Sequence, residues 1–110
     1  MASHRETHQA EPGAPIACTA TPAGAADQLR EWAQLHLHAR SRQPIPGGVR
    51  VIFPAAMADD VRDLARREAG CCSFLTIATT IDEDTVILEI TAAEPAAQPV
   101  VALIAGCSPS

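Results

Sequence analysis

Pro54-Ala55-Ala56-Met57-Ala58-Asp59-Asp60-Val61-Arg62-Asp63-Leu64-Ala65 repeats, without a gap, the pattern of Pro22-Ala23-Gly24-Ala25-Ala26-Asp27-Gln28-Leu29-Arg30-Glu31-Trp32-Ala33. Proline, alanine, aspartate, arginine and the apolar positions coincide. In each copy a proline halts an extended run and an amphipathic helix follows, because a proline ring suits a helix's first turn but removes a donor from a strand. The second copy predicts a helix over residues 56–69, with Ala58, Val61, Leu64 and Ala65 along one stripe. Gly70 then reads as the residue just past its end. The first copy predicts a helix over residues 23–40, with Ala25, Leu29, Trp32, Ala33 and Leu37 apolar.

The flanking segments complete the pattern. Residues 16–21 alternate, with Ile16, Cys18 and Ala20 on one side, and predict a strand that Pro22 ends. Residues 49–53 predict a second strand, stopped by Pro54. A third spans residues 73–81 and a fourth residues 85–91, where Val86, Leu88 and Ile90 share the core face; Asp82-Glu83-Asp84 is the hairpin turn between them. Residues 41–48 (S-R-Q-P-I-P-G-G) read as a Pro/Gly loop, and residues 95–105 as a final helix with Pro95 and Pro99 in its opening turn. Residues 1–14 show no periodicity and read as a flexible tail, leaving residues 15–107 as one domain. The order βαβαββα predicts an α+β fold: a four-stranded sheet with helices on one face. A ferredoxin-like sheet is the alternative, since the repeat supplies two strand–helix units.

A chain of 110 residues, 47% of them apolar, builds one core without cross-links. With only Trp32, Phe53 and Phe74 aromatic, that core consists mainly of aliphatic residues. Eight basic residues scattered among thirteen acidic ones give a net charge of -5, which argues against a nucleic-acid partner. The apolar runs are too short to cross a bilayer, and the polar start lacks a signal-peptide core; a cytoplasmic protein without a membrane partner is expected.

Four cysteines, Cys18, Cys71, Cys72 and Cys107, are then expected as thiols. No C-x-x-C or paired Cys/His module points to a zinc finger. Cys71 and Cys72 are adjacent, at a helix–strand junction, where both can turn toward one centre. Thiolates prefer soft ions, Hg(II), As(III) and Cu(I), and hold Zn(II) well. Cys18, on the inward side of the strand over residues 16–21, offers a third sulfur, and a trigonal three-thiolate site suits As(III) or Hg(II). Against this, cysteine also packs as a small hydrophobe. The negative end of the preceding helix raises a thiol pKa, which Arg66 and Arg67 oppose if they fold back.

Glu68 continues the Val61, Leu64, Ala65 stripe and falls three and four residues before the pair, as a weak oxygen ligand or proton acceptor; an exposed last-turn glutamate is the alternative. His36 and His38 are two apart and diverge on a helix, so both read as structural. His4 and His8 sit in the tail, suited to weak metal binding, and Cys107 reads as peripheral. No nucleotide, Walker, serine-hydrolase or zincin motif is present, and no organic cofactor is expected. Asp82-Glu83-Asp84 lacks the spaced ligands of a calcium loop.

Ile16-Ala17-Cys18-Thr19, Pro46-Gly47-Gly48-Val49-Arg50, and Glu68-x-x-Cys71-Cys72-Ser73-Phe74-Leu75 followed by Leu88-Glu89-Ile90-Thr91-Ala92 resemble a set of small Cys-Cys-x-Phe proteins of high-GC bacteria, associated with heavy-metal resistance and metal-responsive regulators. The resemblance covers most of the chain from Ile16 onward and implies that Cys18, Cys71 and Cys72 belong together. Such sequences tend to carry a charged residue before the pair, where this chain has Gly70.

Three functions follow as expectations. One is thiolate binding of a soft metal or metalloid (Hg, As, Cu(I) or Zn) for sequestration, delivery or sensing, through Cys71, Cys72, Cys18 and Glu68. Another is a small interaction domain whose cysteines only pack. The third is a thiol redox or organometal-cleaving enzyme, in which one cysteine attacks, another resolves and Glu68 moves the proton. A homodimer sharing ligands across its interface is compatible with the first.

Overall fold

Period-two burial is clearest in the centre of the sheet. Val51 and Phe53 alternate with half-buried residues on one strand, Val86, Leu88 and Ile90 on the next, and all five side chains are fully buried. The computed structural model describes residues 4–17 and 21–106. Along the chain run β1 (His4–His8), α1 (Pro22–His36), β2 (Ser41–Ile45), β3 (Gly48–Pro54), α2 (Ala58–Cys71), β4 (Thr76–Ile81), β5 (Thr85–Thr91) and α3 (Gln98–Ile104). Single tight turns, Ala55–Met57 and Pro95–Ala97, precede α2 and α3.

The strands form a five-stranded sheet in the order β1-β4-β5-β3-β2, each neighbour antiparallel. Since β3 and β4 both oppose β5, they are parallel to each other, and α2 carries the chain between them while β5 fills the gap. The register aligns Val51 with Leu88, Phe53 with Val86, and Ile77 with Ile90, so these side chains share one face. Trp32, Val61, Leu64, Val101 and Ile104 cover that face from the three helices. The opposite face carries Arg50 against Glu89, with Arg5 on the same carboxylate. Among the described residues, no helix is long and apolar enough to cross a membrane.

The α+β class stands, but the four-stranded sheet and its ferredoxin-like alternative do not. The additional strands are the two edges. Residues 41–48, read as a loop, form β2 and its turn into β3: Pro44 is tolerated because an edge strand has one side unpaired. Gly47 adopts φ +77° after Pro46, the backbone a type II turn requires at that position. His4–His8, read as tail, pairs with β4 from His4 opposite Ile81 to His8 opposite Ile77. Its charged sequence carries no apolar alternation because an edge strand half in water needs none. Arg66 of α2 holds it through two bonds to the Glu6 carboxylate, 2.6 and 2.8 Å.

The strand expected over residues 16–21 is not seen at Ile16 and Ala17, and residues 18–20 lie outside the described residues. α1 ends at His36, so Leu37 is 75% exposed and Leu35 takes the buried position instead. α2 runs through Gly70 to Cys71, so Gly70 is helical and not a left-handed cap. β4 begins at Thr76, three residues after the predicted start.

Candidate metal centre

The buried stripe of α2 is Val61, Leu64, Ala65, Glu68 and Cys71. These positions recur at three- and four-residue intervals, which places them on one helical face. Cys71 and Cys72 stand three and four residues after Glu68, and because the helix continues through Gly70 both sulfurs come down on its side chain. The helix closes there: the Cys72 N–H donates to the Glu68 carbonyl at 2.8 Å. Beyond it the backbone turns toward β4, with Phe74 and Leu75 buried as anchors.

Glu68 is 4% exposed, a carboxylate inside the core. Burying such a group is costly unless donors surround it, and among the described residues four do. Trp32 donates its indole N–H to Oε1 at 2.8 Å. Gln28 donates to Oε2 at 3.2 Å, and the Cys71 and Cys72 thiols to the same oxygen at 3.4 and 3.3 Å. Gln28 also reaches the Cys71 sulfur at 3.3 Å. The two sulfurs lie 4.0 Å apart, far beyond an S–S bond. A carboxylate oxygen of Glu68 and both sulfurs lie within 4.8 Å of one another.

That spacing is chemically meaningful. Two thiolates on one tetrahedral ion with metal–sulfur bonds of about 2.3 Å stand about 3.8 Å apart. The sulfurs already hold nearly this separation. An ion entering there would replace the two S–H protons and find a carboxylate oxygen beside it. The donor set, two sulfurs and one oxygen, is mainly soft in character and fits a soft or borderline ion.

Of the residues expected at the site, Glu68, Cys71 and Cys72 come together. Cys18 and Cys107 lie outside the described residues. Arg66 and Arg67 do not fold back onto the sulfurs. Arg66 binds Glu6, and Arg67 binds Glu31 and Asp63, and these carboxylates raise the pKa of both guanidiniums. His36 stacks between Trp32 and Phe53, with ring centroids 5.9 and 5.7 Å away, and its Nε2 donates to the Ile104 carbonyl at 2.7 Å. His38 is exposed, and His8 pairs with Glu6.

Among the described residues, two participants escaped sequence reasoning, Gln28 and the polar edge of Trp32. Their signal was present: they stand four apart on α1, so an amide and an indole N–H share the face that carries Leu29. No family model, curated protein or solved structure gives a significant match to the chain.

Proposed function

We propose that Glu68, Cys71 and Cys72 form a binding site for one soft or borderline metal or metalloid ion, Hg, As, Cu(I) or Zn, serving sequestration, delivery or sensing. The observation that carries this reading is the convergence of two sulfurs and a carboxylate oxygen, all buried, within 4.8 Å. The thiolates supply affinity. Glu68 accepts both S–H bonds, so it stands ready to take a thiol proton as sulfur turns to the ion, or to supply an oxygen ligand. Trp32 and Gln28 hold the carboxylate in place, as partners behind metal ligands do. Cys18 is the proposed third sulfur for ions that prefer three.

A second reading is favoured by the same hydrogen bonds. A carboxylate with its donors satisfied can simply fix α1 against α2, with the thiols as packing. Native mass spectrometry separates the two. The reduced protein is mixed with Hg(II), arsenite, Cu(I) and Zn(II) under a competing thiol, beside single Ser variants of Cys18, Cys71 and Cys72. One ion per chain, lost in Cys71→Ser and in Cys72→Ser, supports the metal site; loss in Cys18→Ser adds the third sulfur. Retention no better than that of a small dithiol returns the cluster to a structural role.

A further inference from the structure

Glu68 and Cys72 also form the floor of a cleft of about 100 Å³ between α1 and α3. Among the described residues its walls are Ala25, Leu29, Val100, Leu103 and Ile104, none of which carries a polar side chain. Leu103, at the mouth, is 57% exposed. Cys71 does not line the cleft; it lies on the Gln28 side of Glu68. The two thiols therefore differ in surroundings, one toward an amide, the other at the base of an apolar opening.

A bare ion gains nothing from an apolar wall, whereas an organic substituent on that ion does. We infer that the site's ligand class is a monoorgano-arsenic(III) species, R–As, with the arsenic on Cys71 and Cys72 and the substituent R in the cleft. This deepens the reading of the cluster as a soft-metal site and rests on it. Trivalent arsenic takes three ligands; with R as one, the vicinal pair completes the set and no third thiol is required. The exchange is R–As(OH)₂ plus two thiols giving R–As(S–Cys)₂ and two waters. Two As–O bonds break and two As–S bonds form, each departing hydroxide takes one thiol proton, and no electron changes hands. An apolar cavity of about 150 Å³ accommodates benzene, so this cleft holds a short alkyl group whole and leaves part of a phenyl ring at the mouth.

The test is competitive binding of methyl-, ethyl- and n-propylarsonous acids, with inorganic arsenite and Hg(II), against a small water-soluble dithiol. Affinity rising by about fourfold for each added methylene supports the inference, the step expected for one buried CH₂. Two variants locate the gain. Ala25→Leu fills the cleft and removes the n-propyl advantage while Hg(II) binding stays within about twofold; Leu103→Ser, at the exposed mouth, reduces the slope without burdening the fold. Cys18→Ser leaves R–As binding intact even where it weakens arsenite. A flat alkyl series with Hg(II) still bound overturns the inference and spares the metal site, as does an equal rise in Ala25→Leu. Failure of every probe to outbind the competitor removes both.

Discussion

A single side chain, Glu68, joins α1, α2 and both thiols. Glu68→Ala leaves the Trp32 indole N–H buried without an acceptor, at about 1–3 kcal/mol, while the half-buried Gln28 amide keeps the Cys71 sulfur. We expect a net loss of about 1–3 kcal/mol in urea unfolding, and a smaller loss for Glu68→Gln, which keeps an acceptor for Trp32. An Ala variant as stable as the parent would show that the hydrogen bonds carry no weight. His36 gives a second test at this scale. Burial pushes its imidazole below the usual 6.5, and the nearby Arg42 charge adds to that, against the Ile104 hydrogen bond. The unfolded chain therefore binds this proton more readily, so stability is full above pH 6.5 and falls as pH drops through that range toward the folded value. His36→Phe, which keeps a ring between Trp32 and Phe53, removes that limb from a stability–pH curve. An unchanged limb would assign it elsewhere.

Among the elements, α2 was the most legible, since Val61, Leu64, Ala65 and Glu68 follow one helical period. Its end was misread because Gly70 looks like a stop. Nothing at Gly70 requires glycine: its φ is not positive, and an added Cβ meets no atom within 4 Å. Gly70→Ala is accordingly expected to raise stability by about 0.5–1 kcal/mol without disturbing the thiols; destabilisation would mean the last turn is not helical in solution. β1 and β2 were illegible for the opposite reason. Edge strands are selected to be polar and short, so His4–His8 and Ser41–Ile45 show none of the alternation that marked β3 and β5. β1 hangs on Glu6, whose carboxyl the Arg66 guanidinium holds down to about 2, with His8 assisting against some burial. A depressed carboxylate stabilises above its ordinary range, and that contribution fades only as pH falls toward about 2. Glu6→Gln is therefore expected to speed amide exchange in β1 at neutral pH and leave β3 and β5 protected. Unchanged β1 protection would show that the ladder to β4 suffices.

At the scale of the whole molecule, the two proline–helix units were readable as α1 and α2, which pack against each other, although the strand expected before the first is not seen at Ile16 and Ala17. What no pattern in the sequence announced is that their contact is polar at its centre: Gln28 and Trp32 of one unit close on Glu68 of the other. Such a pairing depends on how two helices cross, which periodicity within either helix does not encode. The sulfur pair was visible from its adjacency alone; the carboxylate's place between the sulfurs became definite once α2 was seen to extend through Gly70. The fold thus delivers two thiols and a carboxylate to one buried point, at the base of an apolar cleft. The most direct test of their joint purpose is metal-edge X-ray absorption on the one-to-one Hg(II) complex of the reduced protein. At least two sulfur neighbours are expected, reduced by one in Cys71→Ser and in Cys72→Ser. A shell of nitrogen and oxygen only, or a sulfur shell unaltered by either substitution, would contradict it.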